Sequence, residues 1–187
     1  MRRQFVLAIS LALMVGLSAA SFARAWAWQE NGATATLYNQ AGDEVGTVRF
    51  TQADDLVQIW VEVADLPSGF HGFHVHTTGV CDAATAFMSA GGHLDLADMM
   101  GGTITGGHAG DMTNLYVNAD GTGSMSTNLD RFAVSDLLTD GGRSVIVHAA
   151  PDNFRNIPDR YGVTLDQMTL DTGDAGPRLA CGTIQAS

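Results

Sequence analysis

Three of the six histidines in this 187-residue chain lie within one short segment, GFHGFHVHT, and they are the residues best suited to chemistry. Successive side chains of an extended strand point to opposite faces, so His74 and His76 share one face. His71, Phe73 and Val75 share the other. Two imidazoles on one face, backed by apolar side chains, are typical of a metal site on the wall of a β-core. Neutral imidazole binds copper, zinc, iron or nickel.

Further candidate ligands follow along the chain. They are His93 in SAGGH, His108 and Asp111 in HAGD, and His148 in VIVHAAPDN. Any one of these histidines alone would more often be a core or surface residue than a ligand, but the set as a whole favours a metal site. Structural zinc sites usually draw on cysteines. Since both cysteines are better assigned to a disulfide, the set favours a histidine-rich copper or zinc site.

The start of the chain predicts export. Met1-Arg-Arg precedes an apolar run from Phe5 to Ala20, and a basic segment followed by an apolar one is typical of a signal peptide. The apolar run is too short for a comfortable membrane span. We therefore predict a cleavable signal peptide over 1–25, with an end uncertain by a few residues, and one domain over 26–187. The mature protein is expected in the periplasm or outside the cell.

The two cysteines, Cys81 and Cys181, stand 100 positions apart. An exported chain with one cysteine pair is expected to form one disulfide. Closing a loop of this length stabilises a fold by about 4–5 kcal/mol on the chain-entropy model.

The charge of the chain restricts its partners. The formal net charge is −11, and all nine basic residues are arginines. Three of them, Arg2, Arg3 and Arg24, belong to the leader region, so the mature chain is more acidic still. Nucleic acids and anionic membrane surfaces are poor partners for such a protein. An anionic substrate would need a local positive charge on the protein to attract it.

Short runs of alternating apolar and polar residues separated by turn residues predict an all-β fold. Eight antiparallel strands without a second domain indicate a closed or nearly closed barrel or sandwich. Two long segments lack strand character, and such loops are usually functional. The predicted strands are 32–38, 44–51, 56–63, 70–77, 112–118, 122–127, 143–149 and 178–185, and the loops are 78–111 and 151–177.

The motifs HGFHVH, SAGGH, HAGD, VIVHAAPDN and GDAGPRLACG resemble the copper/zinc superoxide dismutases of the exported bacterial type. The resemblance extends from about Gly32 to Ile184, with the motifs in the order of the family. It implies an eight-stranded antiparallel Greek-key barrel with two functional loops. It also implies the disproportionation of superoxide to dioxygen and hydrogen peroxide, with copper and zinc as cofactors.

The resemblance assigns roles to individual residues. The copper ligands would be His74, His76, His93 and His148, and the zinc ligands would be His93, His108 and Asp111, with His93 bridging the two metals. Arg178 would attract superoxide, and the bridging His93 would supply a proton. Asp152 would hydrogen-bond to the metal ligands, His71 would be structural, and Cys81 and Cys181 would form the disulfide.

One zinc ligand of the family has no counterpart here. The segment between His93 and His108 contains no histidine, although Asp95 and Asp98 offer carboxylates. Zinc accepts carboxylate oxygen, yet two loop aspartates are more often simply solvated. Three alternatives remain: a zinc site completed by aspartate or water, a weak zinc site, and a copper-only enzyme.

The alternative function is a non-catalytic exported copper- or zinc-binding protein on the same fold. Such a carrier would need the imidazoles but not the arginine. We expect no nucleic-acid partner, no membrane association after cleavage, and a monomer or homodimer.

Overall fold

Ten β-strands carry the architecture of the chain, which a computed structural model describes over residues 32–96, 107–139, 141–154 and 159–187. The predicted signal peptide at 1–25, the domain start at 26 and Asp98 lie outside these residues. The strands are β1 (Gly32–Asn39), β2 (Glu44–Ala53), β3 (Leu56–Val63), β4 (Gly69–His71), β5 (Phe73–His76), β6 (Leu115–Val117), β7 (Gly123–Leu129), β8 (Ser144–His148), β9 (Arg178–Thr183) and β10 (Gln185–Ala186).

Strict alternation explains the longer strands. Along β3, every second residue from Val57 to Val63 is buried and the residues between are exposed. The neighbouring strands β1 and β2 bury one face in the same way, with Leu37 and Phe50 fully enclosed. One apolar face per strand forces these strands to curl around a shared core, because burial of that face is the main stabilising contribution.

The strand order confirms the predicted antiparallel barrel. The main sheet runs β5-β8-β9-β1-β2-β3-β7, so the last long strand, β9, pairs with the first, β1. The short strand β4 pairs with β6, which leads through a tight turn into β7. β4 continues into β5 at one end of the main sheet, and β6 continues into β7 at the other end. The pairing of β4 with β6 therefore joins the two ends, as in a Greek-key barrel.

The predicted strand 70–77 is interrupted at Gly72, where β4 ends and β5 begins. The amide of Gly72 donates to the carbonyl oxygen of Ala150 (2.8 Å), and its own carbonyl accepts from His148 (2.8 Å). A Cβ at this position would lie 2.6 Å from the Cβ of Ala175. The chain therefore changes pairing partners here, from β6 to β8. The last predicted strand is divided similarly into β9 and β10.

The two loops contain more helix than the sequence predicted. The first holds two 3₁₀ turns, Ala83–Thr85 and Met88–Ala90. The second holds the 3₁₀ turn Asp159–Tyr161 and an α-helix, α2 (Gln167–Thr172), which follows α1 (Val134–Leu137) in the chain. The predicted strand 112–118 shortens to β6, so the first loop extends further than expected. Among the described residues, no helix is long and apolar enough to cross a membrane.

The first loop covers the outer face of the barrel. The disulfide joins Cys81 in this loop to Cys181 in β9, with Cα atoms 5.6 Å apart, as the sequence predicted. Phe87 of the loop packs with Ile146 of β8 and with the disulfide in a cluster separate from the main core. This cover explains why all five residues of β8 are buried and why its three central residues, Val145, Ile146 and Val147, are all apolar rather than alternating with polar ones.

Candidate metal centre

A closed ring of three backbone hydrogen bonds joins the segments that carry most of the candidate ligands. Val75 donates to Gly110 (2.9 Å), Gly110 donates to Leu94 (2.8 Å), and Leu94 donates to Val75 (2.8 Å). A side chain at position 110 would overlap the carbonyl oxygen of Val75, so glycine is required for this close approach. The ring fixes β5 against the middle of the first loop, at Leu94, and against the later part of that loop, at Gly110.

This ring aligns the candidate ligands in pairs. His74 lies opposite Asp111, and His76 lies opposite His93, each pair forming an isolated β-bridge. His148 comes from β8, the neighbour of β5 in the main sheet. Five residues distant in sequence are thereby placed around one point inside the barrel wall.

Four imidazoles converge there with nitrogens facing one another. Their ligand atoms all lie within 4.8 Å of one another, and the four residues are buried: His74, His76, His93 and His148. The Nε2 atoms of His76 and His148 are 3.4 Å apart. The buried atoms His74 Nδ1 and His93 Nε2 have no hydrogen-bond partner in the described structure. Since a buried polar atom without a partner is costly, these nitrogens fit ligands of a copper ion.

The other nitrogen of each ring is held by the protein. His74 Nε2 bonds to Asp152 Oδ2 (2.7 Å), and His93 Nδ1 bonds to Asp111 Oδ1 (2.7 Å). His76 Nδ1 bonds to the carbonyl oxygen of Gly91 (3.0 Å), and His148 Nδ1 bonds to that of Gly176 (2.9 Å). Such outer hydrogen bonds fix the tautomer and the orientation of metal-binding histidines.

Burial favours the neutral form of three of these imidazoles, His76, His93 and His148. Loss of hydration is the largest cause for each of these three rings: the pKa is lowered for His76 and for His93, and it is lowered to about 3 for His148. Repulsion from neighbouring imidazolium charges lowers these pKa values further. Neutral imidazole is the form that binds metal ions, so the cluster is prepared for a metal without having to release protons.

A second group of donors lies beside the first and shares His93. His93, His108 and Asp111 place one ligand atom each within 4.8 Å of one another. Burial alone would raise the pKa of Asp111, but hydrogen bonds from His108 and His93 outweigh it, so the pKa is lowered and the carboxylate is charged. Two imidazoles and a carboxylate fit zinc by donor type. Asp95 is exposed and is not in this group.

Asp152 is fixed from several sides. Its Oδ2 accepts from His74, and its Oδ1 accepts from the amide of Phe154 (2.6 Å). The side chain of Asn114 exchanges two hydrogen bonds with the backbone of Asp152, at 2.9 and 2.8 Å. A Cβ at Gly173, whose φ is +56°, would overlap the Asp152 carboxylate. Asp152 also forms a third group of close donors with His74 and Asp111.

Arg178 points from β9 toward the first loop. Its Nη1 donates to the carbonyl oxygen of Phe87 (2.6 Å) and its Nη2 to that of Gly91 (2.6 Å). Burial lowers its pKa, but a guanidinium stays charged at physiological pH. The structure therefore places a fixed positive charge on the backbone segment that also orients His76.

His71 lies away from the donor cluster, in agreement with the predicted alternation. It is 2% exposed, and its Nδ1 lies 2.7 Å from the carbonyl oxygen of His148 while its Nε2 lies 2.8 Å from that of Pro67. These contacts tie β4 to β8 and to the preceding turn. The ring therefore supports the wall rather than facing the ligands.

Several supporting residues were not predicted from the sequence. Asn114 and Arg131 carry no motif signal, because their contacts join segments far apart in the chain. Gly91 and Gly173 had a weak signal: each is a loop glycine near a candidate ligand or a conspicuous motif. Their positive φ values, +78° and +56°, are visible only in the structure.

Comparison with known proteins agrees with this geometry. The family model described as copper/zinc superoxide dismutase matches residues 44–184. A superoxide dismutase [Cu-Zn] of Mycolicibacterium paratuberculosis is 39% identical over 165 residues, which cover 78% of this chain and 70% of the relative. An extracellular superoxide dismutase [Cu-Zn] of Brugia pahangi is 33% identical over 158 residues, covering 83% and 76%.

A solved structure shares the fold. It is a double mutant of a superoxide dismutase-like protein from Bacillus subtilis, with a TM-score of 0.65 and 29% identity, covering 80% of this chain and 94% of that one. With a family match across most of the chain and ligand-type residues gathered in the barrel wall, the chain belongs to the copper/zinc superoxide dismutase family.

Proposed function

We propose that this protein is a superoxide dismutase that holds copper through His74, His76, His93 and His148. One observation carries the proposal. The inward nitrogens of these four buried rings meet at one point, while the outward nitrogen of each ring is held by a carboxylate or a carbonyl oxygen. A set of four converging imidazoles suits copper.

The reaction is the disproportionation of two superoxide ions and two protons to dioxygen and hydrogen peroxide. When bound, copper would supply the one-electron redox couple, and zinc held by His93, His108 and Asp111 would supply a fixed positive charge. The guanidinium of Arg178 attracts the anionic substrate and orients it beside His76. His93 holds at Nε2 the proton that is delivered to the peroxide product.

A local cation matters because the protein as a whole repels superoxide. The chain carries a formal net charge of −11, and long-range repulsion slows the encounter with an anion. Arg178 is fixed by two carbonyl oxygens, so its charge stays in place without a counter-ion beside it. A carrier of copper or zinc on the same fold would need no such group, and we therefore favour the enzyme.

Zinc is proposed to bind at His93, His108 and Asp111. Among the described residues this group supplies three donors, and structural zinc sites usually have four. Asp95 faces solvent in the structure, which favours water over this carboxylate as the fourth ligand. Asp98 remains a further candidate from the sequence. The same three residues also suit an enzyme in which the Asp111 hydrogen bond alone holds His93.

The remaining assignments concern support and location. Asp152 orients His74, His71 ties two strands together, and the disulfide anchors the loop that carries the Arg178 contacts. We propose that residues 1–25 are a cleaved signal peptide and that the mature domain, 26–187, acts in the periplasm or outside the cell. Superoxide is its substrate, and it acts as a monomer or homodimer without nucleic-acid or membrane partners.

Metal reconstitution tests the proposal. Metal-free protein is loaded with copper alone or with copper plus zinc, and superoxide decay is followed directly by pulse radiolysis. We expect turnover in the copper-loaded protein and none in the His148→Ala variant. Absence of turnover in both loaded forms would refute the enzyme and leave the metal-binding alternative. Equal turnover in both forms would identify a copper-only enzyme.

A further inference from the structure

Arg131 binds the 108–111 turn, which carries His108 and Asp111, two of the three proposed zinc ligands. It lies two residues beyond β7, and its side chain reaches back to residues 108–111. Nη1 donates to the carbonyl oxygen of His108 (3.2 Å), and Nη2 donates to that of Asp111. One planar guanidinium thus spans both ends of the turn, a geometry that a lysine ammonium does not reproduce.

This turn sets the position of the Asp111 carboxylate. Asp111 Oδ2 accepts from the amide of His108 (2.8 Å), which closes the turn from the side-chain direction. Asp111 Oδ1 then meets His93 Nδ1 at 2.7 Å. A shift of the turn by a fraction of a hydrogen-bond length would weaken this contact, because such bonds lose strength quickly with distance and angle.

The hydrogen bonds of Arg131 serve this turn. No carboxylate in the described part of the chain forms an ion pair with the guanidinium. The residue is half-buried, and it lines a cavity of about 600 Å³ together with His93, His108, Asp111 and Asp152. A cation kept beside two histidines that would bind zinc is electrostatically unfavourable for that metal. Its two hydrogen bonds to the 108–111 turn therefore point to a positional role that outweighs the repulsion.

We infer that Arg131 is a positioning residue for His93, acting through the 108–111 turn and the Asp111 carboxylate. Through these contacts Arg131 holds His93 Nδ1, the ring nitrogen that faces Asp111. This holds whether Nδ1 carries a proton or would bind zinc. The inference rests on the proposed function, since it takes His93 as the ring shared by both metal positions. It assigns to this arginine a role that the motifs do not show.

The test follows His93 itself rather than turnover. In protein loaded with copper alone and reduced to the diamagnetic copper(I) state, NMR measures the exchange rate of the His93 Nδ1 proton. In protein loaded with copper and zinc, a chromophoric chelator measures the rate of zinc release. The variants are Arg131→Met, which removes both hydrogen bonds, and Arg131→Lys, which keeps the charge. Arg49→Met removes an exposed arginine from β2 and is the matched control.

We expect Arg131→Met to accelerate exchange of the His93 Nδ1 proton and to accelerate zinc release by about 10–100-fold, the usual loss of metal affinity when an outer hydrogen-bond partner is removed. Arg131→Lys should recover only part of this loss, and Arg49→Met should match the wild type. If Arg131→Met fails to fold, the same two rates measured in Arg131→Lys and in Arg49→Met test the inference instead.

Three results would overturn the inference. The first is a lower melting temperature in Arg131→Met with both rates within about twofold of the wild type, which would mean a merely structural role. The second is slower zinc release, which would mean that repulsion dominates. The third is an equal change in Arg49→Met. Failure of the proposed function is a separate outcome, because it appears as absent turnover in the wild type.

Discussion

Arg178 and His76 share one hydrogen-bond acceptor, the carbonyl oxygen of Gly91. The guanidinium donates to it at 2.6 Å and the His76 Nδ1 at 3.0 Å. The proposed substrate-attracting charge and one proposed copper ligand are therefore positioned by the same peptide group. That group belongs to the loop held by the disulfide, so the geometry of both side chains depends on a single backbone position.

Gly91→Ala should disturb both side chains together. Gly91 has φ +78° and ψ −157°, a conformation available essentially only to glycine, and a Cβ there would overlap Thr77 Oγ1. We expect a loss of about 1–3 kcal/mol in the free energy of unfolding, measured by urea denaturation. Copper affinity should fall as well. Gly92→Ala is the control, because a Cβ at Gly92 has no neighbour within 4 Å; equal effects at both positions would contradict this view.

Replacing Arg178 by Ile should lower the rate constant for superoxide turnover by about tenfold or more, because the local attraction is lost while the acidic body remains. The salt dependence should also change. In the wild type, salt screens both the local attraction by Arg178 and the repulsion by the acidic body, whereas in Arg178→Ile it screens only repulsion. Added salt should therefore speed the variant more than the wild type. Pulse radiolysis across ionic strengths measures both effects. An unchanged rate with an unchanged salt dependence would remove Arg178 from the mechanism.

Gly173→Ala should displace the Asp152 carboxylate and with it His74. The added Cβ would overlap Asp152, and φ is +56°. We expect copper affinity to weaken by about 10–100-fold, measured by competition with a chelator. Gly162 lies in the same loop with φ +63° and has nothing within 4 Å of its Cβ position. Gly162→Ala therefore carries the same backbone strain without the contact, and it should leave copper affinity unchanged.

The metal-free protein should lose stability on acidification below about pH 6.5. The pKa of His148 is about 3 in the folded protein, and the pKa values of His76 and His93 are also lowered. The unfolded chain therefore binds more protons in this range. Each group adds a slope of up to about 1.4 kcal/mol per pH unit, with stability rising toward neutral pH. Urea unfolding with chelator present, from pH 7 to pH 4, measures this slope, and a flat profile would contradict the pKa directions.

The fold and the placement of His74 beside His76 were predictable from the sequence because both depend on local regularities. The other candidate ligands, His93, His108, Asp111 and His148, were assigned by the resemblance to the family and not by periodicity. Alternation along β3 is strict, so the buried face of that strand was readable directly. The same alternation placed His74 and His76 together and His71 apart, although the chain is interrupted at Gly72 between them. The prediction of a continuous strand there was wrong. A glycine with a neighbouring backbone packed against it gives no periodic signal.

The supporting contacts were not predictable in the same way. Arg131 reaches back 23 and 20 residues to its two acceptors, and Asn114 reaches 38 residues forward to Asp152. Neither contact follows from spacing within one element. Helix α2 was also missed, since its first turn is set by the Asp166 side chain accepting from Thr169 (2.8 Å) and its end by Gly173. These signals are short and resemble those of an ordinary loop.

The ring of hydrogen bonds among Val75, Leu94 and Gly110 has a consequence for the order of events in folding. Each segment donates to one partner and accepts from the other, so none can leave without breaking two bonds. Pairing between distant segments forms slowly, because chain entropy must be lost before the contact stabilises. His148 joins the other ligands only when β8 pairs with β5, and this pairing spans a longer stretch of chain than any bond of the ring. The ligand set is therefore complete only after this barrel pairing has formed. Metal uptake should consequently follow the pairing of β5 with β8, and a chain that has not formed this pairing would have little ability to compete for copper.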